Sequence, residues 1–180
     1  GQIEYDTVTT INLSTKSLTT DFSNSLNRFT NLIALFVNNN LISNINISQN
    51  SALVSLYADN NQLTSIDLSQ NINLALIRLQ NNQLTSIDLT QNIDLATLHI
   101  WGNQLTSLDL TQNVNLLILR PYSNQLTSLD LTQNILLTLV IASFNSLTSI
   151  DLTQNIDLYE LQLQRNQLTS IDLSQNINLT

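Results

Sequence analysis

From Leu32 onward the chain repeats itself every 21 residues. Units begin at Leu32, Leu53, Leu74, Leu95, Leu116, Leu137 and Leu158, and a further start falls at Leu179. A period of this length restricts the chain to stacked supersecondary units. One such unit cannot bury an apolar face alone and must lay it against a neighbour. The unit 74–94 reads LALIRLQNNQLTSIDLTQNID. Counting its leucine as position 1, apolar residues recur at positions 1, 4, 6, 11, 14, 16 and 20, and these are expected to point inward. Asparagine recurs at position 9 (Asn40 to Asn166) and at position 19 (Asn50 to Asn176). An inward amide at a tight bend satisfies backbone N–H and C=O groups that would otherwise be buried unpaired.

The first half of the unit, Leu74, Ile77, Leu79, Asn82 and Leu84, spells L-x-x-I-x-L-x-x-N-x-L. The second half, Leu84 to Asn92, spells L-x-x-I-x-L-x-x-N again. The nested pattern resembles the bacterial 21-residue leucine-rich repeats of the class called IRREKO, over residues 32–178. The resemblance implies a leucine-rich-repeat solenoid, mainly extended, with parallel stacked coils. Residues 179–180 open a further truncated unit. About eight coils at the strand spacing of ~4.8 Å give a rod of roughly 40 Å. The second half-unit is too short for a regular helix, so both sides have a similar rise and the rod is mildly curved. Residues 1–31 read as an N-terminal cap with an irregular first repeat. Val8, Ile11, Leu13 and Leu18 keep the framework spacing there, but Lys16 stands where the asparagine belongs. Asp21 as N-cap, with Phe22, Leu26 and Phe29 at i, i+4 and i+7, predicts a short amphipathic helix.

Composition then removes function classes. The chain has 180 residues and a net charge of −8, from 5 Lys+Arg and 13 Asp+Glu. Asn, Gln, Ser and Thr together supply 82 of the 180. The absence of cysteine excludes thiol and iron–sulfur chemistry and disulfide scaffolds. No apolar run approaches the ~18 residues of a membrane span. A pI near 4.1 argues against a nucleic-acid partner. The chain starts at Gly1 and contains no Met, which predicts a processed or excised piece. No terminal cap follows Asn178, so continuation past residue 180 is expected. No phosphate loop, nucleophile elbow or metal-ligand cluster occurs, so neither enzymatic activity nor a cofactor is expected.

Diversity is concentrated in the first half-unit. The second half hardly departs from Gln-Leu-Thr-Ser-(Ile/Leu)-Asp-Leu-(Ser/Thr)-Gln-Asn, whereas positions 2, 3, 5, 7 and 8 vary freely. Position 5 runs Phe36, Tyr57, Arg78, His99, Arg120, Ile141, Gln162, and position 7 includes Trp101 and Tyr122. Phe144 stands at position 8. Aromatic and arginine side chains on a strand face resemble the composition of interface hot spots. Stacking brings Arg78, His99 and Arg120 into one like-charged column on an acidic protein, which suits an anionic ligand. The candidate ligand-binding residues are therefore Phe36, Tyr57, Arg78, His99, Trp101, Arg120, Tyr122 and Phe144. Asp67, Asp88, Asp109, Asp130, Asp151 and Asp172 form a second column, read as a solvated face with raised carboxylate pKa values rather than as a calcium site.

These observations, with the family resemblance, point to a non-catalytic interaction module of a secreted or cell-surface bacterial protein. Its variable strand face would meet a protein or polysaccharide partner. The alternative is a structural stalk or filament without a specific ligand, self-associating end to end.

Overall fold

A computed structural model describes residues 7–19 and 23–180. Among the described residues, eight parallel strands form one sheet in strict chain order: β1 (Thr10–Asn12), β2 (Ala34–Phe36), β3 (Ser55–Tyr57), β4 (Leu76–Arg78), β5 (Thr97–His99), β6 (Ile118–Arg120), β7 (Leu139–Ile141) and β8 (Glu160–Gln162). From β2 to β8, each strand is the only regular element of its 21-residue coil. The one helix among the described residues, α1 (Ser23–Leu26), lies between β1 and β2. The register advances by one unit per strand, so Leu56 meets Ile77, Ile77 meets Leu98, and Leu98 meets Leu119.

Strands stop after three residues because side chains alternate across a strand. Only the middle residue, at position 4, faces the core. The ladder continues into the following bend, where Leu79 N–H donates to the His99 carbonyl at 2.8 Å. Positions 1, 4, 6, 11 and 16 supply a single apolar column of leucine, isoleucine and valine, with Ala58, Pro121 and Ala142 at position 6, and essentially no exposure in the central coils. Position 14 is less fully enclosed, since Leu108 and Leu129 are buried but Ile66, Ile87 and Ile150 only partly.

The position-9 asparagines stitch successive coils together. The Oδ1 of Asn82 accepts from Leu63 N–H of the preceding coil at 3.0 Å. Its Nδ2 donates to Ala58 and Leu79 carbonyls at 3.0 Å. Asn61, Asn103, Asn124 and Asn145 repeat this pattern. The first coil lacks its own asparagine, but Asn40 reaches back and accepts from Lys16 and Leu18 N–H, both at 2.9 Å.

The position-19 column differs from expectation. Its Nδ2 atoms donate to two carbonyls each, as Asn92 does to Leu68 and Asn71. The Oδ1 atoms of Asn50, Asn71, Asn92, Asn113, Asn134, Asn155 and Asn176 accept from no protein donor. These side chains thus satisfy carbonyls but not N–H groups. The neighbouring N–H groups are already engaged in the bend itself, where Leu95 N–H donates to the Asn92 carbonyl at 3.1 Å.

Three further expectations require correction. Position 20 does not point inward. Ile72, Ile93, Val114, Ile135 and Ile156 are 45–55% exposed. The buried amide at position 19 takes the inward place at this bend, so the next side chain projects outward. The helix is shorter than the apolar spacing suggests, ending at Leu26. Leu26 is buried and Phe29 packs against the core, while Asp21 and Phe22 lie outside the described residues. The carboxylates of the aspartate column are depressed rather than raised, as described below.

Candidate functional site

The variable positions form three parallel columns on the strand side. Position 5 closes each strand and points away from the core, so the ladder sets its side chains side by side. The column opens with Phe36 and Tyr57, stacked with ring centroids 4.4 Å apart and planes 15° from parallel. Next, the Arg78 guanidinium lies over the Tyr57 ring, 5.1 Å from its centre, within cation–π range. Arg78 then pairs in register with His99, and His99 with Arg120. The column from residue 36 to 120 thus runs ring, ring, guanidinium, imidazole and guanidinium, with ring stacking and a cation–π contact among its first three members.

His99 is buried within this column, 8% exposed although it lies on the outer face. Burial, reinforced by Arg120 and Arg78, lowers its pKa from the ordinary 6.5 to about 4. It is neutral at pH 7. The Nε atoms of Arg78 and Arg120 have no hydrogen-bond partner among the described residues.

Position 7 forms the second column. Trp101 and Tyr122 stack at 4.9 Å, 11° from parallel. Before them stand Asp59 and Gln80, both buried, and neither is conspicuous in the sequence except as an occupant of position 7. Burial raises the Asp59 pKa, opposed by its backbone hydrogen bond, by the nearby Arg78 and by a 2.7 Å hydrogen bond from Asn60. The Oε1 of Gln80 accepts no hydrogen bond.

Position 8 is the third column, and its backbone is left-handed throughout: Asn39, Asn60, Asn81, Ser123, Phe144 and Arg165 have φ of 54–59°, and Gly102 has 66°. Asparagine and glycine tolerate that region; a bulky residue does not. Phe144 and Arg165 are therefore costly occupants, and Arg165 lies over the Phe144 ring at 5.2 Å. Arg165 joins the candidate set; its membership of position 8 was the available signal. The structure thus brings Phe36, Tyr57, Arg78, His99 and Arg120 into one column and Trp101 with Tyr122 into the next. Phe144 stands apart, with Arg165.

The aspartate column lies elsewhere, in the second half-unit. The Oδ1 of Asp88 accepts from Thr90 N–H at 2.9 Å and from the Thr90 hydroxyl at 2.7 Å. Asp109, Asp130 and Asp151 do the same with the threonine two residues on. These bonds hold the carboxylates below their ordinary pKa, and they outweigh the repulsion from neighbouring aspartates, which water screens. Among the described residues no group of three or more His, Cys, Asp or Glu is placed to hold a metal ion. No helix among them is long and apolar enough to cross a membrane.

No protein-family model and no curated protein matches the sequence. Solved structures do. A leucine-rich-repeat protein of Leptospira interrogans superposes with a TM-score of 0.85 at 25% identity, over 93% of this chain and 46% of that one. The chain is a leucine-rich-repeat solenoid. The functional domain of InlJ from Listeria monocytogenes matches at TM-score 0.78 and 29% identity, over 98% of this chain and 44% of that one. Internalin C2 of the same organism matches at TM-score 0.81 and 24% identity, over 97% of this chain and 80% of that one. The solenoid spans less than half the length of the first two.

Proposed function

We propose that this solenoid is a non-catalytic binding module of a secreted or cell-surface bacterial protein, built from nested 21-residue repeats with residues 1–31 as its N-terminal cap. Its ligand would be a protein or polysaccharide carrying negative charge, held across Phe36, Tyr57, Arg78, His99, Trp101, Arg120, Tyr122 and Phe144. The observation that carries this reading is the column of rings and guanidinium groups, set side by side by the strand register, on the one face where the repeats differ. The framework needs none of these residues, since aspartate, serine or threonine, and glutamine fill the corresponding places in the second half-unit. Preassembled stacks also lower the ordering cost of binding, because the side chains are already immobilised. Two cationic side chains, Arg78 and Arg120, suit carboxylate or sulfate groups by their charge. The likeness to InlJ and to other leucine-rich-repeat proteins supports an interaction role over an enzymatic one.

Trp101 is the only tryptophan and sits in the proposed site, so its fluorescence reports occupancy directly. Titration with anionic polysaccharides and acidic envelope proteins should give a saturable blue shift, lost at high salt. The triple variant Arg78→Ser, Trp101→Ala, Arg120→Ser should abolish binding in a pull-down while remaining folded. Binding that survives all three substitutions would refute the assignment.

A further inference from the structure

The outward side chains of position 20 form an apolar ribbon on the flank of the solenoid, at the bends that precede the strands. Ile72, Ile93, Val114, Ile135, Ile156 and Ile177 are all exposed. They stand one per coil at the strand spacing of about 4.8 Å. Position 21 beside them carries only two charges in six coils, Asp94 and Asp157, with Leu136 exposed between them. The ribbon is widest around Leu136, where Leu117 and Tyr159 of position 2 are also more than 40% exposed. On the order of 500 Å² of apolar surface is involved, the size at which an exposed patch marks an interaction site. With its polar rim it approaches the ~800 Å² per partner of a standard interface.

We propose that this ribbon is the dimerisation surface of the solenoid, covered by the same ribbon of a second copy running antiparallel. A regular comb of β-branched side chains is matched in pitch by its own copy, and a two-fold axis across the ribbon makes the contact isologous and closed. Charge selects the register. Pairing the copies in parallel sets Asp94 against Asp94 and Asp157 against Asp157. The antiparallel register that opposes Ile72 to Ile177 sets Asp94 against Asp157, and the one centred on Val114 buries Asp94 against Leu136. The register centred on coil 116–136 avoids all three. Ile135 and Leu136 meet their own copies on the axis, Val114 meets Ile156, Asp94 meets Asn178, and Asn115 meets Asp157. Both carboxylates then face amide donors. Ile72 falls outside the overlap.

Sedimentation velocity on the 180-residue chain tests this. The mass should rise with concentration over about 1–500 µM to twice the monomer and no further, as a closed interface requires. Ile135→Asp should return it to monomer, while Trp101→Ala, on the other face, should leave the dimer intact. Because the chain has no cysteine, Leu136→Cys offers an independent reading. Under mild oxidation it should give a disulfide-linked dimer in high yield, and Ile72→Cys should not. A protein that is monomeric throughout, one that grows beyond the dimer, or equal cross-linking at both cysteines would overturn the proposal.

Discussion

Phe144 and Arg165 occupy backbone that asparagine fills in three earlier coils. A left-handed conformation costs a non-glycine residue roughly 1–2 kcal/mol, and less for asparagine, whose side chain bonds locally. Phe144→Asn should therefore raise stability by about 0.5–1 kcal/mol, read as the midpoint of urea unfolding. If Phe144 contacts the ligand, the same substitution should weaken binding, so stability and affinity would move in opposite directions. His99 makes the second prediction at this scale. Its folded pKa, about 4, lies below the unfolded 6.5. As pH falls through that window the unfolded chain takes up a proton that the folded chain does not, so stability is lost from pH 6.5 down to about 4. Asp59, with its raised pKa, acts in the opposite sense at the acid end. Thermal unfolding of the parent and of His99→Gln at pH 7.5, 6 and 4.5 separates the contributions. The parent should lose more stability than the variant across this range.

At the scale of one coil, the position-9 amide is the most demanding residue after the leucines. Asn103 accepts from Leu84 N–H and donates to the carbonyls of Leu79 and Ile100. Asn103→Ala strands buried backbone groups in two coils, each worth about 1–3 kcal/mol when left unpaired. A loss of about 3 kcal/mol or more is expected in chemical denaturation, with Asn103→Asp also destabilising because it removes the donor. The aspartate bends behave differently. Their carboxylates are fully in water and held below the ordinary 3.8 by the hydroxyl and N–H two residues on. Their contribution is complete above pH 3.8 and fades only as pH falls through the lowered values, outside the His99 window.

For the whole molecule, stability is a sum over neighbouring coils rather than the property of one compact core. Leu98 is sealed between coils on both sides, whereas Leu161 and Leu163 in the last described strand region are only partly covered. Leu98→Ala should cost about 3–4 kcal/mol and Leu161→Ala about half that or less. Amide hydrogen exchange should show the same gradient, slowest around β4 to β6 and fastest after β8.

The spacing of leucine and asparagine, with the leucine-rich-repeat resemblance it carries, was enough to expect the solenoid, its parallel order, the 21-residue advance of the register and the face on which the repeats differ. Those features follow from periodicity, and periodicity is local information repeated. It also placed Arg78, His99 and Arg120 side by side, because ladder register converts a sequence offset into a neighbour. Tertiary structure decided what depends on competition for the same space. Position 20 shares the apolar character of the core positions, yet it is outside, because the amide before it takes the inward place in the bend. The aspartates share a charge and a column, but a hydroxyl and an N–H two residues away outweigh a screened neighbour. His99 reads as a surface residue in the sequence, beside two arginines that disfavour its protonated form, and only the fold shows it buried, with burial the larger cause of its lowered pKa.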